Sequence, residues 1–371
     1  MAYKINPDRN KPWNEIPSLP IDRSLFETIE IYKLLGEAKA ALGKLQGRSA
    51  IIPNQGLLIN TISLQEAKTS SEIEHIFTTD DELYKAYSEA LSESSPASRE
   101  VLRYREALWS GFNYLKVKGR FDRDYFIKVF QEIKQTSDKI RPPFVDTTIK
   151  QRGSGASGGG TVIYTPPRDV RVIEEKLDNL IDFLNSKGDI DPLIKMAIAH
   201  FQFEAIHPFR DGNGRTGRVM NIHYLTNQGL LDYPILFLSR YILDNKEDYY
   251  LGLQRVSQRG DWENWIAFML KGIKETSEDT YDKINAITNA KDNILQYLKE
   301  NGEFLRTEEL VDFIFTQPYT KVSHFVGAGV YAEKTARNYL NELCAMQVLE
   351  KKTISGKHYY LNLELYKILS D

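Results

Sequence analysis

Apolar positions recur three and four residues apart over most of this chain, and that spacing predicts helices. From Asp22, residues Leu25, Phe26, Ile29, Tyr32, Leu35 and Ala38 form one such stripe, ending near Gly43. After a turn at Pro53 to Gly56, residues Leu57, Leu58, Thr61, Ile62 and Leu64 lead into a helix of roughly 63–77. Helical patterning continues over 83–90, 101–117 and 122–135, with Ser92-Glu93-Ser94-Ser95-Pro96 as a break and Tyr104, Leu108, Phe112 and Leu115 as a core stripe. Asp169 reads as an N-cap ahead of Val170, Ile173, Leu177, Leu180, Ile181 and Leu184. Asp191 and Pro192, a cap followed by a first-turn proline, open a helix carrying Leu193, Ile194, Ala197, Ile198 and Phe201. Another helix runs from about Arg215 to Gln228 and closes on Gly229.

The pattern changes in two places. Between Arg141 and Pro167, two β-prone runs, Thr147-Thr148-Ile149 and Thr161-Val162-Ile163-Tyr164-Thr165, flank a glycine-rich stretch at 153–160. They predict a hairpin with a flexible tip. Past about Ser277, helices over 284–298, 307–315 and 333–346 precede two more β-prone runs, 348–354 and 358–363. That order predicts a winged helix-turn-helix, with 333–346 in the recognition position and Lys357 in the wing. Three units are expected: an N-terminal helical region over 1–90, a core over 91–276, and a linker helix with the winged-helix-like α+β module over 277–371.

Composition narrows the class. The formal net charge is −3 and the isoelectric point about 6.2, so no overall basic bias draws the chain to nucleic acid or to an anionic membrane. No apolar run approaches the roughly 18 residues that a membrane span needs. Met1 to Trp13 hold no apolar leader core, and a cytoplasmic location is expected. The single cysteine, Cys344, excludes an intramolecular disulfide and reads as packing. Residues 301–371 carry eight Lys and Arg against nine Asp and Glu, which favours a structural or docking role for the module over DNA binding.

The chemistry concentrates in His207-Pro208-Phe209-Arg210-Asp211-Gly212-Asn213-Gly214-Arg215-Thr216-Gly217-Arg218, a tight loop between two helices. His207 is the one group there able to take a proton near neutral pH, and reads as a general base. Asp211 is a hard oxygen ligand suited to Mg²⁺ shared with phosphates. Gly212 to Gly214 let backbone amides at a helix start approach phosphate oxygens. Arg215 and Arg218, three residues apart, can clamp phosphates with planar forks. The set suits nucleotidyl or phosphoryl transfer, without a Walker loop.

This run resembles the signature of the Fic (filamentation induced by cyclic AMP) family, His-x-Phe-x-[Asp/Glu]-Gly-Asn-Gly-Arg-x-x-Arg, and matches it at every fixed position. The resemblance implies an all-α Fic core with a short β-hairpin flap, and transfer of AMP from ATP to a Ser, Thr or Tyr hydroxyl of a target protein. It assigns the base to His207, the metal to Asp211, and nucleotide contacts to Gly212, Asn213, Gly214, Arg215, Thr216, Gly217 and Arg218. Ser70 to Glu74 looks like the family's inhibitory-helix pattern [Ser/Thr]-x-x-x-Glu-[Gly/Asn], whose Glu would compete with the ATP γ-phosphate for Arg218. His75 departs from that pattern. The hairpin is similar to the family's flap, with Thr161, Val162 and Ile163 expected to dock the target by strand addition. By the same resemblance Tyr249 is expected beside the nucleotide, while Ser257 stands where many relatives have Asn. Removal of AMP by a Glu74-aligned water, and a homodimer, stay open at this stage. The rival reading is a nucleotide-sensing transcriptional regulator that binds DNA through the winged helix.

Overall fold

A helix with apolar residues on every face belongs at the centre of its domain. The computed structural model places one there: every residue from Leu193 to Ile206 is buried. The model describes residues 3–6, 8–50, 55–89, 94–143, 147–151, 161–354 and 356–370. The glycine-rich tip at 153–160, Pro53 and Asn54 of the expected turn, and Ser92-Glu93 of the expected break lie outside the described residues.

Helices α1 (Ile29–Ala50), α2 (Gln55–Ile73) and α3 (Asp80–Tyr87) come first, α3 opening on a capping box between Thr79 and Glu82. Ser95 caps α4 (Pro96–Lys118) and Asp122 caps α5 (Arg123–Lys134). The hairpin strands β1 (Ile149–Gln151) and β2 (Thr161–Tyr164) pair antiparallel, Lys150 opposite Val162, with a bulge between Ile149 and Lys150. The central layer follows: α6 (Val170–Asn185), the buried α7 (Pro192–Ile206) and α8 (Asn213–Asn227). Helices α9 (Leu238–Asp244), α10 (Lys246–Arg259) and α11 (Trp262–Asn301) complete the core. Phe126 stacks on Phe203 at 5.3 Å and Phe130 on Phe209 at 4.1 Å, so α5 packs directly behind the motif loop. His223 is held between the Tyr125 hydroxyl and the Leu108 carbonyl, both at 2.7 Å. A Cβ on Gly111 would meet that ring at 2.5 Å, so the glycine lets α4 approach α8.

The remainder is a winged-helix-like module: α12 (Thr307–Ile314), β3 (Tyr319–Thr320), α13 (Val322–Gly327), α14 (Glu333–Ala345), β4 (Glu350–Ile354), β5 (Lys357–Leu361) and α15 (Leu363–Ser370). Its sheet has the order β3-β5-β4, antiparallel throughout, with Tyr319 and Glu350 both opposite Leu361. The fold is thus the expected all-α core with a hairpin flap and a C-terminal α+β module.

Three elements, α1, α2 and α11, differ in extent from the sequence pattern. α1 continues through Gly43 to Ala50, because nothing crowds Gly43 or Gly47 and Leu45 stays buried. α2 starts at Gln55 and stops at Ile73, four residues short of the expected end. It stops there because His75 adopts a left-handed φ of +63°. α11 runs unbroken for 40 residues across the unit boundary expected near 276. Thr276 and Thr280, on either side of that point, are buried and return their hydroxyls to the carbonyls of Gly272 and Thr276, both at 2.6 Å.

Candidate active site

The motif loop is built by its own side chains. His207 ends α7 in the left-handed region (φ +49°), its N–H on the Phe203 carbonyl at 3.0 Å. Asn213 is 1% exposed and folds back on the loop: its Oδ1 accepts from the Phe209 N–H at 2.9 Å, and its Nδ2 donates to the Phe209 carbonyl at 2.8 Å. Thr216 donates its hydroxyl to the Gly212 carbonyl at 2.9 Å. Of the expected nucleotide contacts, then, these two spend their side chains on loop shape. Gly212 sits at φ +76°, where a side chain is strained, and no side chain caps α8. The first amides of α8 are therefore left to an incoming anion.

Both motif arginines are 2% exposed, and each has a carboxylate partner from a distant element. Arg215 Nη1 donates to Glu100 Oε1 at 2.7 Å; Glu100 also meets Lys134 at 3.4 Å, and Lys134 reaches Asp211 Oδ2 at 2.7 Å. The result is a chain of alternating charge, Arg215–Glu100–Lys134–Asp211. Burial works to raise the Asp211 carboxyl, but the Lys134 ammonium, the Gly212 N–H and Arg215 outweigh it and hold the group below its ordinary range. Asp211 thus stays an exposed, ionised oxygen donor, a fit for one protein ligand of a phosphate-borne Mg²⁺. Among the described residues no group of three or more His, Cys, Asp or Glu could hold a metal by itself.

Arg218 turns to α2. Its Nε donates to Ser70 Oγ at 2.8 Å, and its Nη2 to the Ser70 carbonyl at 2.9 Å and to Glu74 Oε1 at 2.8 Å. Burial alone would raise the Glu74 carboxyl; the charges of Arg218 and Arg215, with the Arg218 hydrogen bond, lower it instead. A Cβ on Gly214 would lie 2.4 Å from Glu74 Oε1, so the middle of the motif loop is closed over by this carboxylate. His75 follows immediately in the left-handed conformation that Gly or Asn adopts more easily, and the helix end still reaches the loop. Lys246 holds that end, donating to the Ile73 carbonyl at 2.7 Å.

His207 is held neutral. Burial first, and then the Arg141 guanidinium, push its pKa down to about 4. Beside it, β1 and β2 cover an apolar slot lined by Ile149, Ile163, Tyr164, Phe201, Leu253 and Ser257, with Glu204 at its wall. Glu204 Oε1 is buried without a hydrogen-bond partner, and burial raises the acid to about 8. Tyr249 does not line the slot: it is buried, with its hydroxyl 2.9 Å from His200 Nε2 and its ring beside Trp265. Tyr250 is half-buried, and its hydroxyl is raised first by burial and then by the Glu74 charge. On the flap, Ile163 is turned into the interior and Val162 is half-buried, so target docking there would rest on main chain. The structure brings His207, Asp211 to Arg218, Ser70 and Glu74 into one cluster. Sequence reasoning missed Glu100, Lys134, Arg141, His200 and Glu204. None belongs to the motif, and the one available signal was the set of polar residues, Lys195, His200, Gln202 and Glu204, inside a largely apolar helix.

Comparison with known proteins meets the same boundaries. A Fic/DOC family model matches residues 120–225, from the loop before α5 through most of α8, and a Fic/DOC family N-terminal model matches 32–113. The chain belongs to the Fic/DOC family. Downstream of this Fic core, residues 291–365 match the C-terminal domain of protein adenylyltransferase SoFic-like proteins. The Fic chain is 33% identical over 134 residues to protein adenylyltransferase fic-1 of Caenorhabditis elegans, covering 36% of this chain and 24% of that protein. It is 35% identical over 79 residues to a probable protein adenylyltransferase of Aquifex aeolicus (strain VF5), covering 21% and 24%. The matched part thus spans about a quarter of these relatives' length. In fold, a Fic family protein from Desulfovibrio desulfuricans G20 superposes with a TM-score of 0.56 at 20% identity, covering 93% of this chain and 98% of that one.

Proposed function

We propose that the protein is an ATP-dependent protein adenylyltransferase that moves AMP onto a hydroxyl side chain of a target protein and is restrained by Glu74. The observation that carries this reading is the meeting of a neutral imidazole and two buried guanidiniums around an uncapped helix start. A neutral His207 can accept the proton of a target Ser, Thr or Tyr hydroxyl. The freed oxygen attacks the α-phosphorus of ATP, and pyrophosphate leaves. Developing negative charge on the phosphoryl oxygens falls to the first amides of α8, to Arg215 and to Arg218. Mg²⁺ arriving with the nucleotide would neutralise phosphate charge, with Asp211 as its protein ligand once Lys134 swings away.

Restraint follows from competition. Arg218 now donates to Ser70 and Glu74, and an ATP γ-phosphate would need the same donors. Incubating the full chain with α-³²P-ATP and lysate tests both parts. We expect weak labelling by the natural chain, strong labelling by Glu74→Gly, and none by His207→Ala. Absence of labelling by Glu74→Gly sinks the transferase reading. The rival DNA reading finds less support, since the wing lysine Lys357 sits 3.4 Å from Glu89. A salt-dependent gel shift on random duplex tests that reading directly.

A further inference from the structure

Arg141 is a third buried arginine, outside the motif, and 2% exposed. Its backbone N–H donates to the Pro208 carbonyl at 2.9 Å, its Nε to the His207 carbonyl at 2.7 Å, and its Nη2 to the Pro167 carbonyl at 2.5 Å. Those partners come from separate pieces of chain. Arg141 opens the flap segment, Pro167 closes it, and His207-Pro208 starts the motif loop. Among the described residues no carboxylate is paired with this guanidinium. Burying a charge against carbonyls alone is a poor way to gain stability, because no counter-charge offsets the desolvation. A rigid planar fork is, however, well suited to fastening several carbonyls at set angles. His207 also needs such fastening, since its φ of +49° is one that side-chain-bearing residues seldom adopt unaided. Tyr164, the last residue of β2, adds a tie at the same foot, its hydroxyl donating to the Ala205 carbonyl at 2.6 Å.

Resting on the transferase reading, we propose that Arg141 is a positioning residue: it locks both feet of the flap to the His207 backbone, so that a target segment laid along the flap presents its hydroxyl at a set distance from the imidazole. Arg141 touches neither substrate. It acts on transfer to protein, and leaves the capture of ATP to α8 and its arginines.

In the Glu74→Gly full chain, Arg141→Lys keeps the charge but replaces the fork with a single ammonium. We expect kcat for AMP transfer to protein to fall between about tenfold and the ~100-fold of a ~1 Å misplacement, while KM for ATP changes less than about twofold. Amide exchange over residues 161–165 should speed up about tenfold in the same variant, with α7 and α8 unaffected. Tyr164→Phe removes one tie and no charge; it gives the same kcat-against-KM split in weaker form and carries the test if Arg141→Lys does not fold. Unchanged kcat in both variants, or an equal loss of kcat and ATP affinity, overturns the assignment. A Glu74→Gly parent that labels nothing overturns the transferase reading instead, and the exchange rates then still decide whether Arg141 fastens the flap.

Discussion

Arg218 has three donors in use, and all three end on two residues of one turn at the end of α2. Removing Glu74 frees the outer part of the fork and leaves Ser70 in place. A charge-assisted hydrogen bond contributes about 1.5–3 kcal/mol, so Glu74→Gly is expected to raise the labelling rate by roughly 10- to 100-fold. Ser70→Ala leaves the charge pair intact and should raise labelling by less; initial rates with labelled ATP give both. The buried titratable groups make a separate prediction. Burial lowers His200 to about 3 and His223 to about 4, so both are neutral when folded and take up protons on unfolding below pH 6.5. The unfolded chain therefore binds more protons in that window, and these two groups make stability rise with pH up to about 6.5. Glu204 acts in the opposite sense: raised to about 8, it contributes stability fully present at the acid end and lost as pH rises to 8. Melting temperature should climb from pH 4.5 to 6.5 and decline gently towards 8. A steady climb to pH 8 in a melting series would show that Glu204 is not held protonated in the fold.

α2 is an unusual inner element because it buries polar residues alongside Ile62, Leu64, Ala67 and Ile73. Thr61, Ser63, Gln65, Glu66, Thr69, Ser70 and Ser71 are all buried. Glu66 accepts from the Tyr104 hydroxyl at 2.9 Å, and from the Ser239 N–H at 3.0 Å and its hydroxyl at 2.5 Å. Glu66→Ala strands those donors at about 1–3 kcal/mol for each group left unsatisfied. A lower melting temperature and, with Glu74 and Arg218 both intact, a higher labelling rate are expected together; a loss of stability with unchanged labelling would separate this seam from the restraint. This element also marks the limit of what the sequence disclosed. The motif names the loop chemistry because its glycines and arginines stand in a fixed order, and the helices around it follow apolar spacing. The polar seam of α2 has no such period, and its partners lie far off in the chain, from Tyr104, 38 residues from Glu66, to Ser239, 173 residues from it. Glu100 and Lys134 were silent for the same reason: each looks like a solvated helix charge until the fold places it beside Arg215 and Asp211.

At the scale of the whole molecule, the C-terminal module rests on the segment that follows Glu74. Asp81 and Glu89, at either end of α3, receive Tyr319, Lys321, Lys357 and Tyr359 from the module, with Lys321 at 3.2 Å from Glu89. His324 adds a contact of 3.2 Å to the Ser88 carbonyl. Glu89→Ala removes the carboxylate shared by two lysines and a tyrosine. Amide exchange in β5 and α3 should accelerate together, while α7 keeps its protection; exchange confined to β5 would mean that α3 does not sense the module. The long helix α11 joins these parts, packing on α1, α7, α9 and α10 along its core portion and on α12 and α15 farther along. Forty residues of unbroken helix extend about 60 Å. A bend within it would break a stretch of helical hydrogen bonds, so the two halves share one axis and cannot swivel about a loop. In solution the particle should therefore tumble as a single elongated body: a fluorophore on α14 and another on α6 would report the same slow rotational correlation time, with no faster component from an independently reorienting module.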